Sequence, residues 1–293
     1  MNGLRIRALS ERDISFAMTL KNIAGWNQTE QDWRDYLYYD REGCFLAEFD
    51  GEKAATMTTI RYGTYFGWIG MVLVHPDYRG RGVATQLLQS GIRHLRDQGV
   101  RCIKLDATAM GKKVYVPLGF EEEYDVRRYE LDTASALSVP KHTAAFGSAG
   151  GVQPLTGAHL KEIAAYDETI FGANRSAVLE RLAIREPQYC FFTRDDRGMT
   201  GYLMAHQGYE AVQIGPWAAS DVHAAEALLT ALLASVGEGK VFFDLPCPNV
   251  QGIGLAEKAG FRIQRTFCRM HLGNNAYPGE PQLVYGTSGA EKG

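Results

Sequence analysis

An apolar strand that runs into an Arg- and Gly-rich turn, and from there straight into a helix, is the stretch that limits this chain most. Residues 68–74 read as a buried strand ending in Val72, Leu73 and Val74. His75, Pro76, Asp77, Tyr78, Arg79, Gly80, Arg81 and Gly82 form the turn. Ala84, Leu87, Leu88, Ile92 and Leu95 then recur at helical spacing. Glycines at such a junction let the backbone come close to a ligand. The unpaired N–H groups of the first helical turn favour an anion, and Arg79 and Arg81 add positive charge. The turn suits a pyrophosphate. It is not a dinucleotide fingerprint, because Gly80 and Gly82 supply only the first pair of G-x-G-x-x-G and position 85 is Thr. The Lys-containing phosphate loop of nucleoside triphosphatases is also absent.

Arg79, Gly82 and Ala84 instead fall into the pattern [QR]-x-x-G-x-[GA], preceded by Val74, His75, Pro76, Asp77 and Tyr78. This resembles the acetyl-CoA-binding motif of the GNAT superfamily of N-acetyltransferases. The downstream order agrees: Gly99 as a helix stop, a strand over 102–107, and a short helix ending at Pro117, Leu118, Gly119 and Phe120. The resemblance implies an α/β (α+β) fold, a mixed and mostly antiparallel sheet with a splayed central strand pair flanked by helices. It implies that acetyl-CoA is the co-substrate. Val72, Leu73 and Val74 would line its pantetheine arm, and Arg79, Gly80, Arg81, Gly82, Val83, Ala84 and Thr85 its pyrophosphate, with Thr108 and Tyr115 close by. The N–H of Val72 would polarise the thioester carbonyl, a contribution of about 3 kcal/mol for a well-aimed donor. Tyr115, four residues before Gly119, would protonate the departing thiolate. One position departs from the family. The strand residue that often carries a Glu base is Trp68 here. A water chain, another carboxylate or an amine arriving neutral must then serve.

A chain of 293 residues is long for one such domain and suggests two. Strand-like residues 124–131 end a first unit, and 133–151 are small, polar and Gly-rich, in keeping with a linker. The expected division is 1–134 as the acetyl-CoA-binding domain, 135–151 as linker and 152–293 as a second domain. The second half echoes the first. Leu87 and Leu88 reappear 141 positions on as Leu228 and Leu229, and Gly119 and Phe120 as Gly260 and Phe261. Asp106 has a counterpart in Asp244, at an offset of 138. This is a repeat of a whole domain. The turn does not repeat: Gly80 and Gly82 map onto Asp221 and His223, and Asp221 would repel a phosphate. The chain resembles a bacterial subgroup of tandem GNAT proteins with an active N-terminal lobe and a degenerate C-terminal one.

The remaining composition excludes rather than assigns. A net charge of −3 and a pI of about 6.2 give no basic stripe for nucleic acid. Five scattered cysteines without C-x-x-C read as reduced thiols of a cytoplasmic protein. The seven histidines have no metal-ligand spacing, so no metal is expected. No apolar run reaches the ~18 residues of a membrane span, and monomer and homodimer stay open. For the acceptor, Trp26 and Asn27 sit in the first helical region, which in GNAT enzymes shapes the acceptor pocket. Asp167, Phe171, Trp217, Asp221 and Asp244 offer carboxylates beside aromatics, which suit an ammonium group. The expected reaction is direct attack of a primary amine of a small polar molecule on acetyl-CoA, with an aminosugar or aminoglycoside antibiotic as a candidate acceptor and antibiotic resistance as the consequence. A protein or peptide N-acetyltransferase and a non-catalytic acyl-CoA sensor are the alternatives.

Overall fold

The computed structural model describes residues 3–134 and 151–293. In chain order the strands and helices are β1 (Leu4–Ala8), α1 (Ile14–Ala24), α2 (Glu30–Tyr39), β2 (Phe45–Phe49), β3 (Glu52–Tyr62), β4 (Phe66–Val74), α3 (Val83–Asp97), β5 (Cys102–Ala107), α4 (Ala109–Tyr115) and β6 (Glu121–Asp132). After the undescribed residues come β7 (Gln153–Pro154), α5 (Leu160–Phe171), α6 (Ser176–Arg185), β8 (Cys190–Asp195), β9 (Gly198–Gln207), β10 (Ala211–Ala219), α7 (Val222–Ser235), β11 (Lys240–Pro246), α8 (Val250–Lys258), β12 (Arg262–Gly273) and β13 (Val284–Gly286). Among the described residues no helix is long and apolar enough to cross a membrane.

The chain divides into two compact units. The first holds Met1–Glu123, Cys268–Ala276 and Glu291–Gly293, and the second Tyr124–Phe267 and Tyr277–Ala290. In unit 1, β1, β2, β3 and β4 pair antiparallel in that order, β5 joins β4 in parallel, and the last half of β12 pairs antiparallel with β5. One face of this sheet is covered by α3, whose apolar stripe Leu87, Leu88 and Leu95 packs with Met57, Ile69 and Ile103. Because side chains alternate along a strand, Trp68 and Gly70 face the other way from Ile69, toward the side on which α1 and α2 lie against β3 and β4. The α2 start is fixed by a capping box between Thr29 and Asp32.

In unit 2 the order is β6, β11, β10, β9, β8, β7, with β13 added on β10. The helix α7 buries Leu228, Leu229 and Leu232 in a core with Ile214, Trp217, Phe243 and Phe261. The repeat expected from the sequence is therefore a repeat of architecture, but the linear boundary at 134 is not the spatial one. From Tyr124 onward β6 belongs to unit 2, where it pairs with β11, while the end of β12 belongs to unit 1. The expected linker, 135–151, lies outside the described residues but for Gly151.

Candidate functional site

The turn between β4 and α3 is built as the sequence suggests. Gly80 and Gly82 hold φ of 73° and 74°, the left-handed region that disfavours a side chain. Gly82 is the N-cap of α3 and offers no side chain to its N–H groups, so no side-chain cap takes the donors of the first helical turn. Nothing lies within 4 Å of the space a Cβ on Gly80 would take. Arg79 is exposed, and its Nε donates to the Val74 carbonyl at 3.1 Å, which fixes the guanidinium over the strand end. The Arg81 guanidinium lies 5.3 Å from the Phe49 ring and 5.6 Å from the Tyr78 ring. Val83 is buried and anchors the helix, whereas Ala84 and Thr85 are partly exposed at its mouth.

The neighbouring strand supplies an open edge. β5 pairs with β4 only at Gly67 and Trp68, and beyond them the two strands diverge. On its other side β4 follows β3, with Ala55 opposite Val74 and Thr56 opposite Leu73. His75 N donates to Ala54 O at 2.8 Å. That bond sets the alternation of an antiparallel ladder: Leu73 bonds inward, and Val72 and Val74 turn their N–H groups away from β3, toward the open edge. A register shift between Thr56 and Thr58, with Met71 at φ 51°, bends β4 just before Val72. The Thr56 hydroxyl donates to the Met71 carbonyl at 3.1 Å and holds this bend.

Tyr115 ends α4 and is 8% exposed, with its ring 5.8 Å from that of Phe120. A tyrosine phenol is protonated at neutral pH in any case, and burial pushes its pKa up further. Thr108 is the N-cap of α4, accepting from Gly111 N at 3.1 Å, and so orients the helix that carries Tyr115.

The residues expected to bind the acceptor are divided between the two units. Trp26 and Asn27 follow the left-handed Gly25 that ends α1, Trp26 half-buried and Asn27 5% exposed. Those of unit 2 are committed to its own architecture, and the acidic wall expected from them is corrected accordingly. Asp244 is fully buried and takes two 2.7 Å hydrogen bonds from Arg128 on the paired strand. Asp167 is fully buried, accepts from Arg175 at 2.7 and 2.8 Å and receives the Tyr202 hydroxyl. Phe171 lies under the same guanidinium at 3.8 Å. Trp217 is core, packed on Tyr285 and Phe243. Asp221 is the N-cap of α7, accepting from His223 N at 2.9 Å and Ala224 N at 3.0 Å. A buried carboxylate needs such partners, because an unpaired charge there costs several kcal/mol or is neutralised. Among the described residues no three His, Cys, Asp or Glu side chains gather as metal ligands.

One set of residues escaped the sequence reading. Glu291, Lys292 and Gly293 lie in unit 1. Glu291 rests on Gly70, where a Cβ would come within 2.7–2.8 Å of its backbone and Cβ, and Gly293 rests on the Trp68 indole. The Tyr62 hydroxyl donates to the Lys292 carbonyl at 2.5 Å. The only trace in the sequence is the missing side chain at Gly70, which says that something approaches but not what.

The comparisons with known proteins give the family and the fold. Residues 15–120 match the family model described as Acetyltransferase (GNAT) family, and residues 163–286 the one described as Acetyltransferase (GNAT) domain. A protein of Pseudoalteromonas sp. (strain SANK 73390), holothin acyltransferase, is 26% identical over 270 residues, covering 92% of this chain and 87% of that protein. The crystal structure of a putative acetyltransferase from Pyrococcus horikoshii superposes with a TM-score of 0.81 at 23% identity, over all of this chain and 97% of the other. A tandem GNAT protein from the clavulanic acid biosynthesis pathway gives 0.64 at 12% identity, over 92% and 98%.

Proposed function

Because the chain belongs to the GNAT family of acetyltransferases, with two such domains in tandem, we propose that unit 1 transfers acetyl from acetyl-CoA to an amine of a small molecule. The carrying observation is the pairing of an uncapped α3 N-terminus with the free edge of β4. The first suits the pyrophosphate, and the second presents the N–H groups of Val72 and Val74 to the pantetheine arm and thioester. The Val72 N–H then holds the oxygen on which charge develops as the amine attacks the carbonyl carbon. As the carbon–sulfur bond breaks, Tyr115, a protonated phenol at neutral pH, gives its proton to the departing sulfur.

A small-molecule acceptor is supported by the name of the Pseudoalteromonas relative, holothin acyltransferase, over 92% of the chain. The aminoglycoside reading drew on an acidic wall of Asp167, Asp221 and Asp244, and these carboxylates are engaged elsewhere. The proposal therefore commits to a small primary amine without a high positive charge. Thiol release from acetyl-CoA, measured against aminoglycosides, polyamines, amino acids, small heterocyclic amines and short peptides, tests it. Turnover with a small monoamine class is the expected result. Turnover with peptides alone would replace it with protein N-acetylation, and acetyl-CoA binding without turnover on any member would favour a sensor.

A further inference from the structure

The β4 strand of unit 1 has no carboxylate of its own where a base would stand, since Trp68 and Gly70 occupy the face toward α1 and α2. Yet a carboxylate is there. Glu291 sits on the bare backbone of Gly70, two residues before Val72, which is about 7 Å along a strand. Its Oε2 accepts from Gln28 Nε2 at 3.0 Å, and its Oε1 from Lys292 Nζ at 2.6 Å. Gln28 directly follows Trp26 and Asn27 in the loop between α1 and α2.

The surroundings are polar and incompletely satisfied. Gln28 Oε1, Trp33 Nε1, the Tyr36 hydroxyl and the Thr58 hydroxyl are all buried without a hydrogen-bond partner of good geometry. The four residues are 8%, 0%, 0% and 0% exposed. They belong to one neighbourhood: Thr58 is paired with Gly70 across the sheet, Trp33 stands edge-on to Tyr36 at 5.7 Å, and Lys292 Nζ lies 5.5 Å from the Tyr36 ring. The Tyr36 phenol is held protonated by burial and by the nearby Glu291 charge. A buried polar atom left unpaired costs about 1–3 kcal/mol. Several together are a site that a polar ligand or a water completes.

From this arrangement we propose that Glu291 is the base of the transfer reaction, taking the proton of the acceptor amine directly or through one water held by Gln28, Tyr36 and Thr58. The ammonium loses its proton to the Glu291 carboxylate, which becomes the neutral acid. The freed nitrogen lone pair forms the bond to the thioester carbon, the carbon–sulfur bond breaks, the thiolate takes the Tyr115 proton, and the now positive nitrogen gives up its second proton through water, which returns a proton to Tyr115 and leaves the neutral amide. Release of the proton from Glu291 to solvent restores the site. The buried charged or titratable groups on the packed elements include Lys21 of α1, Asp32 and Asp35 of α2, Tyr62 of β3 and Lys292, and the Arg269 guanidinium lies 4.7 Å from the Trp68 ring. Lys292 balances the carboxylate charge, and Gln28 aims it.

This inference rests on the transfer reading, and the experiment separates the two. Thiol release by the unaltered protein tests transfer. The ratio of Glu291→Gln to the unaltered protein, across pH, tests the base. Glu291→Gln keeps the shape, so acetyl-CoA affinity should stay near that of the unaltered protein, while the buried Lys292 loses its counter-charge and the melting temperature falls; rates are therefore compared at a temperature where both proteins are fully folded. Its kcat/KM should fall about 10²-fold at neutral pH and recover as pH rises toward the pKa of the free amine. Glu291→Asp should keep the pH profile at an intermediate rate. A Glu291→Gln rate equal to that of the unaltered protein, or a loss uniform across pH, would assign the residue to holding 291–293 in place and overturn the proposal.

Discussion

The N-termini of α3 and α7 occupy equivalent places in the two repeats and have opposite chemistry. At α3 the cap is Gly82, with no side chain on the first-turn N–H groups and two arginines close by. At α7 the cap is Asp221, whose carboxylate already takes the N–H groups of His223 and Ala224. A helix N-terminus attracts negative charge in either case. Unit 2 meets that demand with a covalently attached carboxylate, and unit 1 leaves it to a ligand. The strand pairs differ in the same sense. β4 and β5 part after Trp68 and leave the β4 edge open. β10 and β11 pair from Ala211 to Ile214 on one strand and Lys240 to Phe243 on the other, and then part as well. In unit 2, however, β13 enters the gap, pairing with β10 at Trp217 and Ala218, while Thr287 N bonds the Asp244 carbonyl at 2.8 Å. In unit 2, residues of its own chain occupy both the helix end and the strand gap that stand open in unit 1. Unit 2 gains internal hydrogen bonds at these two places, and the comparison predicts that changes in unit 2 are read in stability and changes in unit 1 in binding and turnover.

The largest expected effect is in unit 2. Asp244→Asn leaves the 4%-exposed Arg128 without its counter-charge, and breaking a buried pair from one side costs about 3–5 kcal/mol. Denaturant unfolding should report that loss, while KM for the amine, measured on the folded protein at low temperature, stays unchanged. A raised KM at unchanged stability would return Asp244 to the acceptor site and break the contrast. In unit 1, Tyr115→Phe should lower kcat about 10²-fold and leave acetyl-CoA affinity alone, as stopped-flow turnover beside calorimetry would show. Loss of binding alone would argue that Tyr115 only packs.

How much of this could be read from the residues differs along the chain. The Arg79 to Thr85 turn was legible because each requirement is local: strand, glycines, helix, all within one stretch. The place of Tyr115 at the end of α4 follows from its distance to Gly119. The strand exchange was not legible. Arg128 and Arg269 stand 141 positions apart, and each bonds an aspartate, Asp244 and Asp106, on a paired strand. Two such equivalent strands carry the same local pattern whichever aspartate they pair with, so β6 read as the close of the first unit. Asp167, Asp221 and Asp244 were misread for a related reason. A carboxylate beside aromatics looks the same in sequence whether it awaits a ligand or is already bonded to a distant arginine or a helix end. Glu291 was invisible because its neighbour Gln28 is 263 residues away, and no periodicity links positions that far apart.

Gly82→Val sharpens the comparison at the cap itself. A β-branched residue at φ 74° costs about 1–2 kcal/mol in strain, and its methyl groups stand where the backbone must approach the ligand. Acetyl-CoA affinity should fall about tenfold or more, the equivalent of roughly 1.4 kcal/mol. Calorimetric titration reads it directly. Unchanged affinity would mean that the anion does not sit on this turn.

The smallest effect is the most diagnostic of how unit 2 satisfies its own helix end. Asp221→Ala removes the α7 cap, for a loss of about 1 kcal/mol. In the folded protein the Asp221 carboxyl lies below its usual range, first because Ala224 N–H donates to it, with help from Ser220 and His223. A pKa depressed by folding adds stability above the unfolded value of about 3.9, and that stability is lost as pH falls through the folded value. The unaltered protein should therefore outlast Asp221→Ala by a constant margin above about pH 4, and the margin should shrink below it. Added phosphate or sulfate should restore part of the stability of Asp221→Ala and none of that of the unaltered protein, because only the variant presents free N–H groups at α7. Equal responses to the anion would mean that the cap does not occupy the place of a ligand.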